Sequence, residues 1–202
     1  MTPLARLAAA ALMLAWLGCG AAAESDGYTQ AVELHQQGDD TAALVRLDAH
    51  LGEHPRDSRA RFLKAVILAK QNRTQEAIDV LTALSEEFPE LPEPHNNLAV
   101  LYASQGKYEE ARQELEMAVR AHPGYAMAYQ NLGDVYAALA AQAYERALQV
   151  DANSSAARTR LEQIRKLLPE GAVAAAPPET LAPTPPEAAA PPPAPQPSTP
   201  QQ

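Results

Sequence analysis

The sequence predicts an all-α fold, a right-handed α-solenoid of about four helical hairpins closed by one further helix. Three observations predict it. Proline, alanine and leucine recur with a fixed 34-residue period through the middle of the chain. Between the recurring prolines the residues are mainly Ala, Leu, Glu, Gln and Arg, which lose little rotamer freedom in a helix. Glycine is sparse there, and β-branched runs are nearly absent. A unit of this length cannot bury its apolar face alone, so neighbouring units must stack.

The middle section is set off by two segments of different composition. Residues 1–23 place one cation, Arg6, before an apolar run from Leu7 to Leu17 and then small residues. That is the layout of an export signal, and the run is too short to span a bilayer comfortably. Two processing sites compete. Ala21-Ala22-Ala23 suits ordinary cleavage before Glu24, and Leu17-Gly18-Cys19 resembles a lipoprotein box in which Cys19 is lipidated, although Trp16 stands where an aliphatic residue is usual. The expected location is the periplasm, with an outer-membrane lipoprotein as the alternative. At the other end, residues 169–202 contain 12 prolines and no basic residue. Such a segment cannot bury enough apolar area to offset chain entropy, and it is expected to be a disordered, semi-stiff spacer. The helical domain is therefore assigned to residues 24–168.

Within that domain Pro55, Pro89 and Pro123 are each 34 residues apart, as are Ala43, Ala77 and Ala111, and Leu47, Leu81 and Leu115. Ala31, Ala65, Ala99 and Gly133 continue the period through four copies, and so do Leu34, Leu68, Tyr102 and Tyr136. The small residues let the two helices of a hairpin approach closely, and the leucines and tyrosines fill the seam at helical spacing. Gly38, Asn72 and Gly106 stand where a left-handed residue ends the first helix. Proline ends the second helix and starts the link to the next hairpin.

This pattern resembles the tetratricopeptide repeat family, most closely over Pro92–Tyr125, where Leu98, Ala99, Tyr102, Gly106, Tyr108, Ala111, Leu115, Ala118 and Pro123 hold the signature places. The copies run 24–57, 58–91 and 92–125. A shortened copy follows at 126–152, and a capping helix at 154–168, started by Asn153 or Ser154. In the fourth copy Tyr136 and Ala140 are four residues apart, whereas Tyr102 and Ala111 are nine apart. Five residues are missing, and the interhelical turn with them. One unbroken helix over about 126–150 is expected, with a tight turn at Ala138–Ala141 as the alternative. Its stripe of Leu132, Tyr136, Leu139, Ala143 and Ala147 then needs another cover, either the final helix or a second chain.

Charge and motifs exclude other classes. A net charge of −9 with scattered cations does not suit nucleic acid or an anionic membrane, so a membrane enters only through a lipidated Cys19. No phosphate loop, dinucleotide fingerprint, serine elbow or Cys/His nucleophile pair is present, so no enzymatic activity and no cofactor are implied. His50 and His54, with Glu53 between them, offer metal-ligand spacing. They sit beside Gly52 and Pro55 at a predicted helix end, where histidine is favoured by the helix dipole alone. A metal-dependent accessory role would rest on this pair.

The family resemblance implies that the first helices of successive hairpins line a concave groove that binds a protein or peptide. Matching its places gives Tyr28, Val32 and His35 in the first copy, and Arg59, Phe62, Val66 and Lys70 in the second. The third gives Asn96, Val100 and Ser104, and the fourth Gln130 and Asp134. Asn97 and Asn131 share the sixth place, where asparagines form a ladder on a ligand backbone in some superhelical members. An amide both donates and accepts, which suits an extended chain of any sequence. Phe62, Val66 and Val100 flanked by Arg59 and Lys70 suggest a segment carrying an acidic residue. Self-association through the fused helix is the alternative use of the domain.

Overall fold

The computed structural model describes residues 26–168. The segment expected to be an export signal, with Cys19, and the Pro/Ala-rich tail lie outside the described residues. Eight helices follow one another: α1 (Gly27–Gln36), α2 (Asp40–Glu53), α3 (Ser58–Lys70), α4 (Thr74–Glu87), α5 (Pro92–Ser104), α6 (Tyr108–Ala121), α7 (Ala126–Val150) and α8 (Ser155–Arg165). No strand occurs among the described residues.

The three complete hairpins turn in the same way. Gly38, Asn72 and Gly106 have φ of 84°, 60° and 73°, the left-handed region that a side chain with a β-carbon resists unless it is Asn or Asp. Each turn closes with the bond pair of a Schellman motif. Asp39 N–H reaches Leu34 C=O, Arg73 N–H reaches Leu68 C=O, and Lys107 N–H reaches Tyr102 C=O. The links between hairpins also repeat. Pro55, Pro89 and Pro123 each open a two-residue turn, closed by Asp57 N–H to His54 C=O, Leu91 N–H to Phe88 C=O and Tyr125 N–H to His122 C=O.

Each hairpin packs on itself and on the next. The first helices also adjoin one another, α1 against α3 and α5 against α7, whereas α2, α4 and α6 pack mainly against their own hairpin and the first helix of the following one. The first helices therefore form an inner layer and the second helices an outer one. Ala43, Ala77, Ala111, Leu47, Leu81 and Leu115 are all buried in the seams. Burying each leucine is worth roughly 1.5–3 kcal/mol.

The fourth copy is different. With the five-residue turn absent nothing interrupts the backbone ladder, and α7 continues through 25 residues, a length of roughly 37 Å. Its first half packs on α5 and α6, and its second half on α8, which Ser154 caps by accepting from Ala157 N–H. Of the expected stripe, Leu132 and Leu139 pack against the core shared with α6. Tyr136, Ala143 and Ala147 stay exposed. α8 instead covers a neighbouring face, where Ala141 packs with Leu161 and Leu168, joined by Ala137, Tyr144, Leu148 and Ile164.

Candidate functional site: the inner layer

The proposed lining begins at the junction of the first two copies. Tyr28 and Val32 are half-buried against the first core cluster, and the Arg59 guanidinium lies over the Tyr28 ring, 4.8 Å from its centre. Arg59 also pairs with Asp57, the residue that caps α3 by accepting from the Arg59 and Ala60 amides. Burial alone raises the Asp57 carboxyl. The hydrogen bonds from His50, the Ala60 amide and Arg59 outweigh that effect, and its pKa lies below the ordinary aspartate value. Lys70 pairs with Asp40 at 2.9 Å, and His35 Nδ1 bonds the same carboxylate at 2.6 Å. Both cations read as flanks for an acidic ligand are therefore already matched by carboxylates of their own chain.

Two expectations for single lining residues are corrected. Phe62 is fully buried and belongs to the first core cluster, so it offers no surface to a ligand. His35 ties the end of α1 to the start of α2, and does not extend toward a ligand. His50 Nε2 is bonded to Asp57 at 3.0 Å, and the His54 ring lies 4.8 Å from the His50 ring, tilted at 44° to it. The two histidines gather no further ligand, and no cluster able to hold a metal exists among the described residues.

The asparagines do not form parallel rungs. Asn131 on α7 donates through Nδ2 to Asn96 Oδ1 at 2.7 Å, and Asn96 Nδ2 donates to Asn97 Oδ1 at 3.3 Å. This chain of amides crosses from one inner helix to the next. The pair that meets is 35 residues apart, one more than the repeat, because adjacent inner helices are offset by about one residue where they touch. Asn96 and Asn97 are fully buried, and Val100 is buried beside them. Val66 is half-buried, and Ser104 returns its hydroxyl to Leu101 C=O. The inner face is closed at α5, whereas Lys70 at the end of α3 and Gln130 and Asp134 on α7 are exposed.

One residue that the motif did not single out belongs here. Glu93, between Pro92 and Pro94 at the start of α5, is buried, and its Oε2 has no hydrogen-bond partner among the described residues. Burial raises its pKa. Nearby, burial and then the Glu93 charge push the Tyr125 hydroxyl up to about 12. His95 uses Nδ1 on Glu114 at 2.7 Å and leaves Nε2 buried without a partner among the described residues. A carboxyl flanked by two prolines carries no periodic signal, so nothing in the repeat marks it.

With this geometry in place, comparison with known proteins agrees on the class. Two sequence models described as tetratricopeptide repeat match, one over residues 28–92 and the other over 68–132. The chain belongs to the tetratricopeptide repeat family. It is 37% identical over 92 residues to the Arabidopsis thaliana chloroplastic tetratricopeptide repeat domain-containing protein PYG7, a match covering 42% of this chain and 31% of that one. The chain thus spans about a third of that relative's length. Among solved structures it is similar to MamA, with a TM-score of 0.53 at 19% identity over 73% of this chain and 84% of that one. It is also similar to TTC0263, a thermophilic repeat protein of Thermus thermophilus, with a TM-score of 0.52 at 24% identity over 70% and 80% of the two chains. At these identities the structures speak for the fold alone.

Proposed function

We propose that this protein is a scaffold that holds a segment of another protein along its inner layer, outside the cytoplasm. Repeat arrays of this type are protein-interaction scaffolds. The observation that carries the reading is that α7, tied to α5 by the largely buried amide chain Asn97–Asn96–Asn131, leaves Gln130 and Asp134 exposed. These groups offer donors and acceptors without a reactive nucleophile, which suits gripping a backbone and not transforming a substrate. Because Arg59 and Lys70 are neutralised internally, the segment needs no acidic residue. The export signal at residues 1–23 supports a periplasmic site of action, and the Pro/Ala-rich tail supports a spacer role.

The test is site-specific photocrosslinking in the native cell. A photoreactive residue at Gln130 or Asp134 is expected to capture one partner, whereas the same residue at Gln113 on the outer layer does not. Equal capture from both layers would remove the inner-layer assignment. Mass spectrometry of the mature N-terminus decides between free Glu24 and lipidated Cys19.

A further inference from the structure

Beyond the inner layer, α7 carries a second surface. From Ala126 to Val150 every third or fourth residue, alternately, is apolar or glycine, and none is charged. All of these positions are exposed except half-buried Ala140. Tyr129 is 50% exposed, Tyr136 49% and Val150 87%. At 100° per residue this stripe lies on the side of the helix opposite the buried Val135, Ala138 and Ala128. Spacing that alternates three and four is the pattern of a coiled-coil seam.

Repeat places explain why the stripe is bare. In the three complete hairpins the small residue of the first helix (Ala31, Ala65, Ala99) and the alanine of the second (Ala43, Ala77, Ala111) are buried, and the seam residue is half-buried at Leu34 and Tyr102. Leu68, which holds the place of Tyr136, is 1% exposed. In the fourth copy both sides of that contact are present, Gly133 and Tyr136 on one side and Ala140 and Ala147 on the other. They lie on one straight helix and cannot fold onto each other. Two separate chains can make the contact.

We infer that the stripe is completed by α7 of a second copy of this chain, antiparallel, with the two-fold axis crossing the exposed face at the level of residue 138. That register sets Tyr136 against the partner's Ala140, Gly133 against the partner's Ala143, Tyr129 against the partner's Ala147 and Ala126 against the partner's Val150. Every pair joins one residue from each half of the helix, and each tyrosine meets an alanine. Large meets small in every pair except Gly133 against Ala143, where two small residues let the helices approach closely, and the two-fold repeats the order on both halves of the 25-residue helix. Tyr136 against Ala140 restores the pairing that Tyr102 and Ala111 hold within their own hairpin, so the assembly is a hairpin exchanged between two chains. No like charges oppose each other along the seam.

The test uses the full chain with Cys19→Ala, which removes its only cysteine. Chains carrying Tyr129→Cys and Ala147→Cys are mixed and oxidised gently. The mixed disulfide is expected to exceed either self-disulfide by about tenfold, with Gln113→Cys as an outer-layer control. Dominant self-disulfides of Tyr129→Cys would mean parallel pairing. Yields no higher than the control would mean no pairing. Either result overturns the inference. In sedimentation the Cys19→Ala chain should dimerise with a dissociation constant on the order of tens of micromolar. Ala143→Lys, at an exposed position that leaves the helix intact, should weaken this by tenfold or more. A monomer throughout that range, or an unchanged constant in Ala143→Lys, overturns the inference as well. Asn131→Ala should leave dimerisation untouched, which separates this result from the fate of the inner-layer reading.

Discussion

Asn131 donates its side-chain amide to Asn96 across the boundary between the third and fourth copies, at 2.7 Å. The acceptor is fully buried and passes the bond on to Asn97. Asn131→Ala is expected to leave Asn96 Oδ1 without its donor, at a cost of about 1–3 kcal/mol. Asn131→Asp should cost at least as much, because an acceptor then faces an acceptor. Thermal melts of Asn96→Ala, of Asn131→Ala and of the double variant would show strong non-additivity.

Glu93 predicts a pH dependence of one sign. Its folded pKa is raised by burial, so its stabilising effect is complete below the unfolded carboxyl value and is lost as pH rises through the folded one. Glu93→Gln should remove that loss and raise the melting temperature at neutral pH by a few degrees, for roughly 1 kcal/mol. It should have little effect in mild acid. Melts at both pH values check this, and a Glu93→Gln variant less stable at neutral pH would contradict it.

Asp57 predicts the opposite slope. Its folded pKa is depressed despite burial, because His50, the Ala60 amide and Arg59 all bond the carboxylate. The stability it confers is present above the unfolded aspartate value and disappears as pH falls through the lower folded one. Asp57→Ala removes the α3 cap and should cost about 1–2 kcal/mol at neutral pH. The difference from the unsubstituted chain should shrink on acidification.

The hairpin turns predict a ranking. A β-carbon at Gly106 meets nothing within 4 Å, so Gly106→Ala carries only the torsional cost of φ 73°, about 1 kcal/mol. Gly106→Asn should cost less, since Asn72 already holds the same place at φ 60°. Equal losses for the two variants would mean that the backbone does not set the cost.

Restoring the missing turn is the sharpest manipulation of the fourth copy. Inserting the five residues of 103–107 between Tyr136 and Ala137 recreates the spacing of the third copy. The insertion should split α7, bury Tyr136 under its own second helix and abolish concentration-dependent association. Tyrosine fluorescence and sedimentation would register both effects.

The period made most of this architecture readable. The turns at Gly38, Asn72 and Gly106, the links at Pro55, Pro89 and Pro123 and the unbroken α7 all follow from counting residues, because each local need (positive φ, a missing N–H, an absent turn) attaches to one position in a repeat. The inner surface was less legible. Its places fix which helix a residue occupies but not what its side chain meets from the next helix, about a turn away in space and a full repeat away in sequence. Arg59 and Lys70 look like ligand contacts until Asp57 and Asp40 are located. Phe62 looks like lining until its complete burial within the first core cluster is seen. The bond from Asn131 to Asn96 joins unlike places of two copies, which no alignment of copies to one another would pair.

The unbroken α7 has a mechanical consequence. A turn uncouples the two helices it joins, so displacement at one hairpin is absorbed before it reaches the next. A continuous helix lets no such slack accumulate, and any tilt imposed on Gln130 and Asn131 is delivered rigidly to Leu148 and, through it, to α8. The far end of the array is thereby a lever, and occupancy near Asn131 would be felt at Leu168, where the proline-rich segment departs.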